Sequence, residues 1–165
     1  MKSLRSLLLV VPALSLAFST AAFAAGNEAG AIDIGPLTPS VKGQFVEVNL
    51  SQAMLQFAAK LAARHEPEAA ELIRNLKSIR VNVVALDDSN RAATVGQIES
   101  VRRKLEAQGW VKIVTVREKD GDNVDIHVKQ HGEEAINGLV VTVLDKKGEV
   151  VFVNIVGDIN ADQIG

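Results

Sequence analysis

The chain has no cysteine, and that absence excludes a structural disulfide, a thiolate metal site, a cysteine nucleophile and a lipid-modified cysteine. Histidine is scarce: His65, His127 and His131 are the only imidazoles, and no serine stands in a G-x-S-x-G setting. A hydrolase triad therefore has little to draw on. No glycine-rich phosphate loop is present, because Gly96 has no G-x-G companion. A basic surplus is missing as well, with 18 Lys and Arg against 20 Asp and Glu. Such a balance argues against nucleic acid as a partner, since neutralising phosphates is the main source of that affinity. Repeats and low-complexity tracts are absent too. What remains is a chain of 165 residues, 47% hydrophobic, which suits one small globular domain that needs no disulfide to hold its core.

The first residues differ from the rest. Lys2 and Arg5 precede an apolar run over residues 7–18, and Ala22-Phe23-Ala24 places small residues where a signal peptidase reads. Residues 1–24 are thus expected to be a secretory signal cut between Ala24 and Ala25. The apolar run is too short for a bilayer span, which takes about 20 residues. Cleavage would remove two positive charges and no acid, leaving 16 Lys and Arg against 20 Asp and Glu, net −4. No stable membrane insertion is expected after that removal. Residues 25–42, rich in Gly, Pro and small polar side chains, read as a flexible lead-in to a single domain over residues 43–165.

Within that domain, alternation over residues 44–50 predicts a strand. Ser51 is placed as a helix N-cap, and Leu50, Met54, Phe57 and Leu61 recur at helical spacing as one apolar stripe, with Met54 and Phe57 read as core. Pro67 suits the first turn of a second helix, with Ala69, Leu72, Ile73 and Leu76 on its buried face. Residues 78–86 are β-branched and strand-like, and Asp87-Asp88-Ser89-Asn90 is turn and cap chemistry. A third helix carries Val95, Ile98, Val101 and Leu105 and ends at Gly109, placed for the left-handed conformation. Four strand-like runs follow, over residues 110–118, 124–131, 139–144 and 150–156, with short turns between them. The order is β-α-α-β-α-β-β-β-β. It predicts an α+β, two-layer sandwich with a mostly antiparallel sheet and three helices on one face.

The opening QFVEVNLSQAMLQFAAKLA, the strand SIRVNVVAL, the helix exit QGW and the terminal hairpin GLVVTVLDKKGEVVFVNIVGDIN resemble the bacterial exported family known as domain of unknown function 4252. The resemblance spans residues 43–165. Its motifs are packing and turn motifs, so it transfers no catalytic residue. It implies a small envelope protein without assigned chemistry. Because this chain lacks the cysteine that lipoprotein members acylate, it implies a soluble periplasmic location.

His127 and His131 in HVKQH have the i, i+4 spacing of helical zinc ligands, but on a strand they lie about 13 Å apart, so no metal site is expected. Asp120-Gly121-Asp122-Asn123 lacks a calcium ligand ladder and reads as a turn. Asp87 and Asp88 read as capping residues rather than paired acids. Arg102-Arg103-Lys104, with Glu99 four residues before Arg103, reads as a solvated helix face. Trp110 reads as a core cap. No catalytic residue, cofactor or metal is expected, and the chain is not expected to be an enzyme. A periplasmic interaction module that binds another envelope protein is the leading expectation; a binder of small apolar ligands or acyl chains, using a cavity between helices and sheet, is the alternative. On the strand over residues 124–131, Val124, Ile126 and Val128 are expected to face the helices. Asp125, His127, Lys129 and His131 would then form a pH-sensitive row on the open sheet face, the candidate contact for a partner.

Overall fold

The computed structural model describes residues 28–119 and 121–160; the expected signal segment and its cleavage point lie outside them. The elements run β1 (Phe45–Ser51), α1 (Gln52–Ala62), α2 (Pro67–Arg74), β2 (Leu76–Ala85), α3 (Arg91–Ala107), β3 (Val111–Arg117), β4 (Asn123–His131), β5 (Ala135–Leu144) and β6 (Glu149–Asn160). This is the expected order, and the six strands form one antiparallel sheet ordered β1-β2-β6-β5-β4-β3. The late meander β3 to β6 follows from its short turns. The helical hairpin of α1 and α2 is inserted between the paired strands β1 and β2, and β6 fills the place beside β2.

The termini of α3 show how local chemistry sets an element. Gly109 adopts φ +73°, its N–H donates to the Glu106 carbonyl at 3.1 Å, and the Trp110 N–H donates to Leu105 at 3.0 Å. These two bonds close the helix in a Schellman motif, and Trp110 then turns into the core. At the other end, Asp87 accepts from the Ser89 N–H at 2.8 Å. Asn90 is fully buried and donates to the carbonyls of Thr38 and Ala85 at 3.1 and 3.0 Å.

The core lies between α3 and the sheet. Val101 and Leu105 of α3 meet Val140 of β5 and Phe152 of β6, with Trp110 beside them. Ile32 and Ile34 complete this cluster, which corrects the expectation of a flexible lead-in: residues 31–40 are a strap packed across the sheet. Asn154 of β6 secures it, accepting from the Ile32 N–H at 3.1 Å and donating to the Gly30 carbonyl at 2.9 Å. Where the strap crosses β5, a Cβ on Gly138 would stand 2.5 Å from the Gly30 Cα, and one on Gly30 1.9 Å from the Asn137 carbonyl oxygen. Only glycines allow the two backbones to approach this closely.

A second correction concerns α1. Its buried residues are Leu55 and Ala59, packed toward α2, where Ala70 is also buried. Of the expected stripe, Leu50 belongs to β1, and Met54, Phe57 and Leu61 are 54%, 65% and 59% exposed, so Met54 and Phe57 are not core. The buried side chains of the α1–α2 hairpin are thus Leu55, Ala59 and Ala70, two of them small, while the larger stripe faces outward.

A candidate interaction face on the open side of the sheet

Side chains alternate along each strand, so registry across the six strands assigns every residue to one of two faces. On one face the pairing lines up Val48, Val81, Val153, Val141, Ile126 and Val114 in an unbroken row from edge to edge. The row on one side of it is Val46, Val83, Val151, Val143, Val124 and Val116. The row on the other is Leu50, Ile79, Ile155, Leu139, Val128 and Val111. Every position in the three rows is Val, Ile or Leu, and only Val128 is buried. Strands about 4.8 Å apart and rows about 6.8 Å apart make this a field of roughly 600 Å².

The opposite face is mixed in character and is the one that α3 and the strap cover. Its central rows carry Asn82, Phe152, Thr142 and Asp125, then Asn154, Val140 and His127. The burial pattern of β6 alternates accordingly, with Val150, Phe152, Asn154 and Val156 buried and Val151, Val153 and Ile155 half-buried. The expected orientation of β4 is therefore inverted. Asp125 and His127 are 4% and 1% exposed, lying under α3, while Val124 and Ile126 point to the open side. The proposed row of Asp125, His127, Lys129 and His131 does not form a continuous solvent-facing surface.

The reason is a charge network that α3 brings to the sheet. Arg102, expected on a solvated helix face, donates Nη2 to Asp125 Oδ2 at 2.7 Å and Nη1 to Glu99 at 2.8 and 3.1 Å. Arg117 of β3 donates Nη2 to both Asp125 oxygens, at 2.9 and 2.7 Å, and Thr115 adds its hydroxyl at 3.2 Å. Burial pushes the Asp125 carboxyl up, but the hydrogen bonds and charges of Arg117 and Arg102 outweigh it and hold the group below its usual range. A paired carboxylate can sit under a helix where an unpaired one could not.

Residues 41–165 match the family described as a domain of unknown function (DUF4252). The chain belongs to that family. No curated protein and no solved structure gives a significant match.

The other two members of the expected row occupy separate places. Lys129, half-buried, donates its ammonium to the Gln108 carbonyl, where a cation complements the C-terminal end of α3. His131 is exposed at the end of β4, 3.7 Å from Asp158 Oδ1. Among the described residues, no group of three or more His, Asp or Glu is placed to hold a metal. Asp87, expected as a cap, does not cap α3, whose N-cap is Asn90; its carboxylate holds the turn at Ser89 and pins the end of the strap, accepting from the Val41 N–H at 3.1 Å.

His127 stands apart, with both ring nitrogens buried and neither hydrogen-bonded. Burial first, then the neighbouring Lys112, push its pKa below the ordinary value, with Arg102 adding to this and Asp125 and Glu106 opposing it. At pH 8 the folded protein therefore holds His127 neutral. His127→Leu is expected to stabilise the fold by about 1 to 2 kcal/mol at pH 8, by removing two buried polar atoms that have no hydrogen-bond partner. The gain should grow at pH 5.5, because the unfolded wild-type chain takes up its proton near about 6.5 and the folded one only at lower pH. Urea titrations at the two pH values test this; a loss of stability at pH 8 would show that the nitrogens are bonded after all.

Proposed function

We propose that this chain is a non-enzymatic interaction module of the cell envelope, docking another protein chain on its open aliphatic sheet face. The observation that carries the reading is the three edge-to-edge rows of Val, Ile and Leu left without a covering layer. Monomeric proteins seldom expose contiguous apolar patches beyond a few hundred Å², and larger ones mark interaction sites. The polar groups support the same reading. Asp125 is engaged by two guanidiniums and His127 is sealed beneath α3, so neither is presented to a substrate. The space between α3 and the sheet is filled by Ile32, Ile34, Leu105, Trp110, Val140 and Phe152, so an apolar ligand would be left the cavity of about 650 Å³ bordered by Ile32, Leu50, Met54, Ile79 and Asn154, and the larger uncovered aliphatic field favours a protein partner. Export to the periplasm is supported by the signal pattern at Lys2, Arg5 and Ala22-Phe23-Ala24.

A photocrosslinking residue introduced in living cells tests the docking reading. Placed at Val153, at the centre of the open face, it is expected to yield a discrete protein adduct; placed at Arg103, exposed on α3, it is expected to yield none. No adduct from Val153 would reject the reading. N-terminal sequencing of the envelope form is expected to start at Ala25, and an intact Met1 there would reject the soluble exported state.

A further inference from the structure

We infer that the partner on the open face is a second copy of this chain, packed sheet to sheet about a two-fold axis. This rests on the docking reading above and names its occupant.

Three properties of the face point to self-association. The first is area. A field of roughly 600 Å² on each copy would bury roughly 1,200 Å² in the pair, which reaches the range of stable, specific interfaces. The second is charge. In an isologous contact each residue meets the same surface on its partner, so any charge in the field would be opposed by its like. The three rows contain none. They also contain no Arg, Trp or Tyr, the anchors by which a surface usually distinguishes a different partner. Homodimer interfaces are the class that is most apolar. The third is shape. Two sheets pack face to face about 10 Å apart when their twists agree, and two copies of one sheet share the same twist by construction. Joined this way, the aliphatic rows would become the inner layer of a four-layer assembly, with α3 and the strap outside on both copies. A lipid surface fits less well, since the chain is net −2 and the rows carry no cation to meet anionic headgroups.

The absence of cysteine makes a clean test available. Sedimentation equilibrium on the chain purified from the envelope fraction, without detergent, is expected to return the mass of two chains at micromolar concentration. Val153→Glu is expected to raise the dissociation constant about 100-fold or more, because each copy would bury an unpaired carboxylate. Its far-UV circular dichroism should be unchanged. Val153→Cys, treated with a short bis-maleimide, supplies a second readout that does not depend on tolerating a charge. It is expected to give a covalent dimer, whereas Arg103→Cys on the outer side of α3 should not. A wild-type mass of one chain throughout, with no joined copies from Val153→Cys, would overturn the second-copy proposal. So would equal crosslinking from Arg103→Cys, or flotation of single chains with phosphatidylethanolamine and phosphatidylglycerol vesicles. If the in-cell crosslinker at Val153 then still captured a discrete adduct with a different protein, the docking reading would stand without self-association. If it captured nothing, both would fall.

Discussion

Phe152→Ala is expected to remove about 3 to 5 kcal/mol of folding stability, the range for deleting a buried aromatic ring. Phe152 is 4% exposed and lies on β6, which pairs with β2 on one side and β5 on the other. Its ring belongs to the cluster where the sheet meets Val101 and Leu105 of α3, Trp110, and Ile32 and Ile34 of the strap. The cost of such a cavity depends on how far the surroundings can collapse into it. Here they are held on more than one side. Asn154 bonds the strap at Ile32 and Gly30, and the close approach of Gly30 to Gly138 prevents it from sinking further. The loss should therefore fall toward the upper end. Urea titration at one protein concentration measures it, with a lower midpoint and an unchanged slope. Phe57→Ala is the comparison, because that ring is 65% exposed and its removal should cost about 0.5 kcal/mol. Losses of equal size would put the core in the wrong place.

The element order was legible because each segment carries a period and a punctuation mark. The β-branched runs, the stripe of Val101 and Leu105, and Gly109 at the exit of α3 all lie where alternation, helical spacing and left-handed capping put them. Which sheet face is covered was not legible from β4 alone. Alternation separates Val124 and Ile126 from Asp125 and His127, but it does not say which set a helix will meet. The usual inference, that the apolar set lies under the helices, fails because Arg102 and Arg117 neutralise Asp125 from two other elements. The excess itself was a readable signal. All six strands carry an aliphatic set, whereas α3 buries only Thr94, Val101 and Leu105, too little to cover them. The strap is hidden for a different reason: Ile32 and Ile34 alternate, but they sit between Gly30 and Gly35-Pro36, where turn residues dominate the pattern. On α1 the error was a choice of stripe. Helical spacing fits both Met54, Phe57 and Leu61 and the pair Leu55 and Ala59, and packing against a second helix favoured the smaller pair.

Asp125→Asn should be the most informative single change to the covered face, with an expected cost of about 2 to 4 kcal/mol near neutral pH. Breaking a buried ion pair on one side leaves guanidinium charge without its counter-ion, which costs about 3 to 5 kcal/mol where burial is complete. The Asp125 side chain is 6% exposed, but Arg102 and Arg117 are 27% and 42% exposed, so water recovers part of the loss. The pH dependence separates this account from a loss of packing. Because the folded carboxyl lies below its usual range, the unfolded chain binds a proton at a higher pH than the folded one. The stability from the network is thus complete above the unfolded value of about 3.9 and drains away as pH falls through the lower folded value. His127 works in the same direction at higher pH, since its folded pKa is also depressed, and its contribution falls below about 6.5. Wild type and Asp125→Asn should therefore decline together from pH 7 to pH 5. Below that, the wild-type curve should fall more steeply and close the gap. Urea midpoints measured across this interval decide the matter: two curves that remain parallel down to pH 2 would mean that Asp125 holds α3 to the sheet by shape alone.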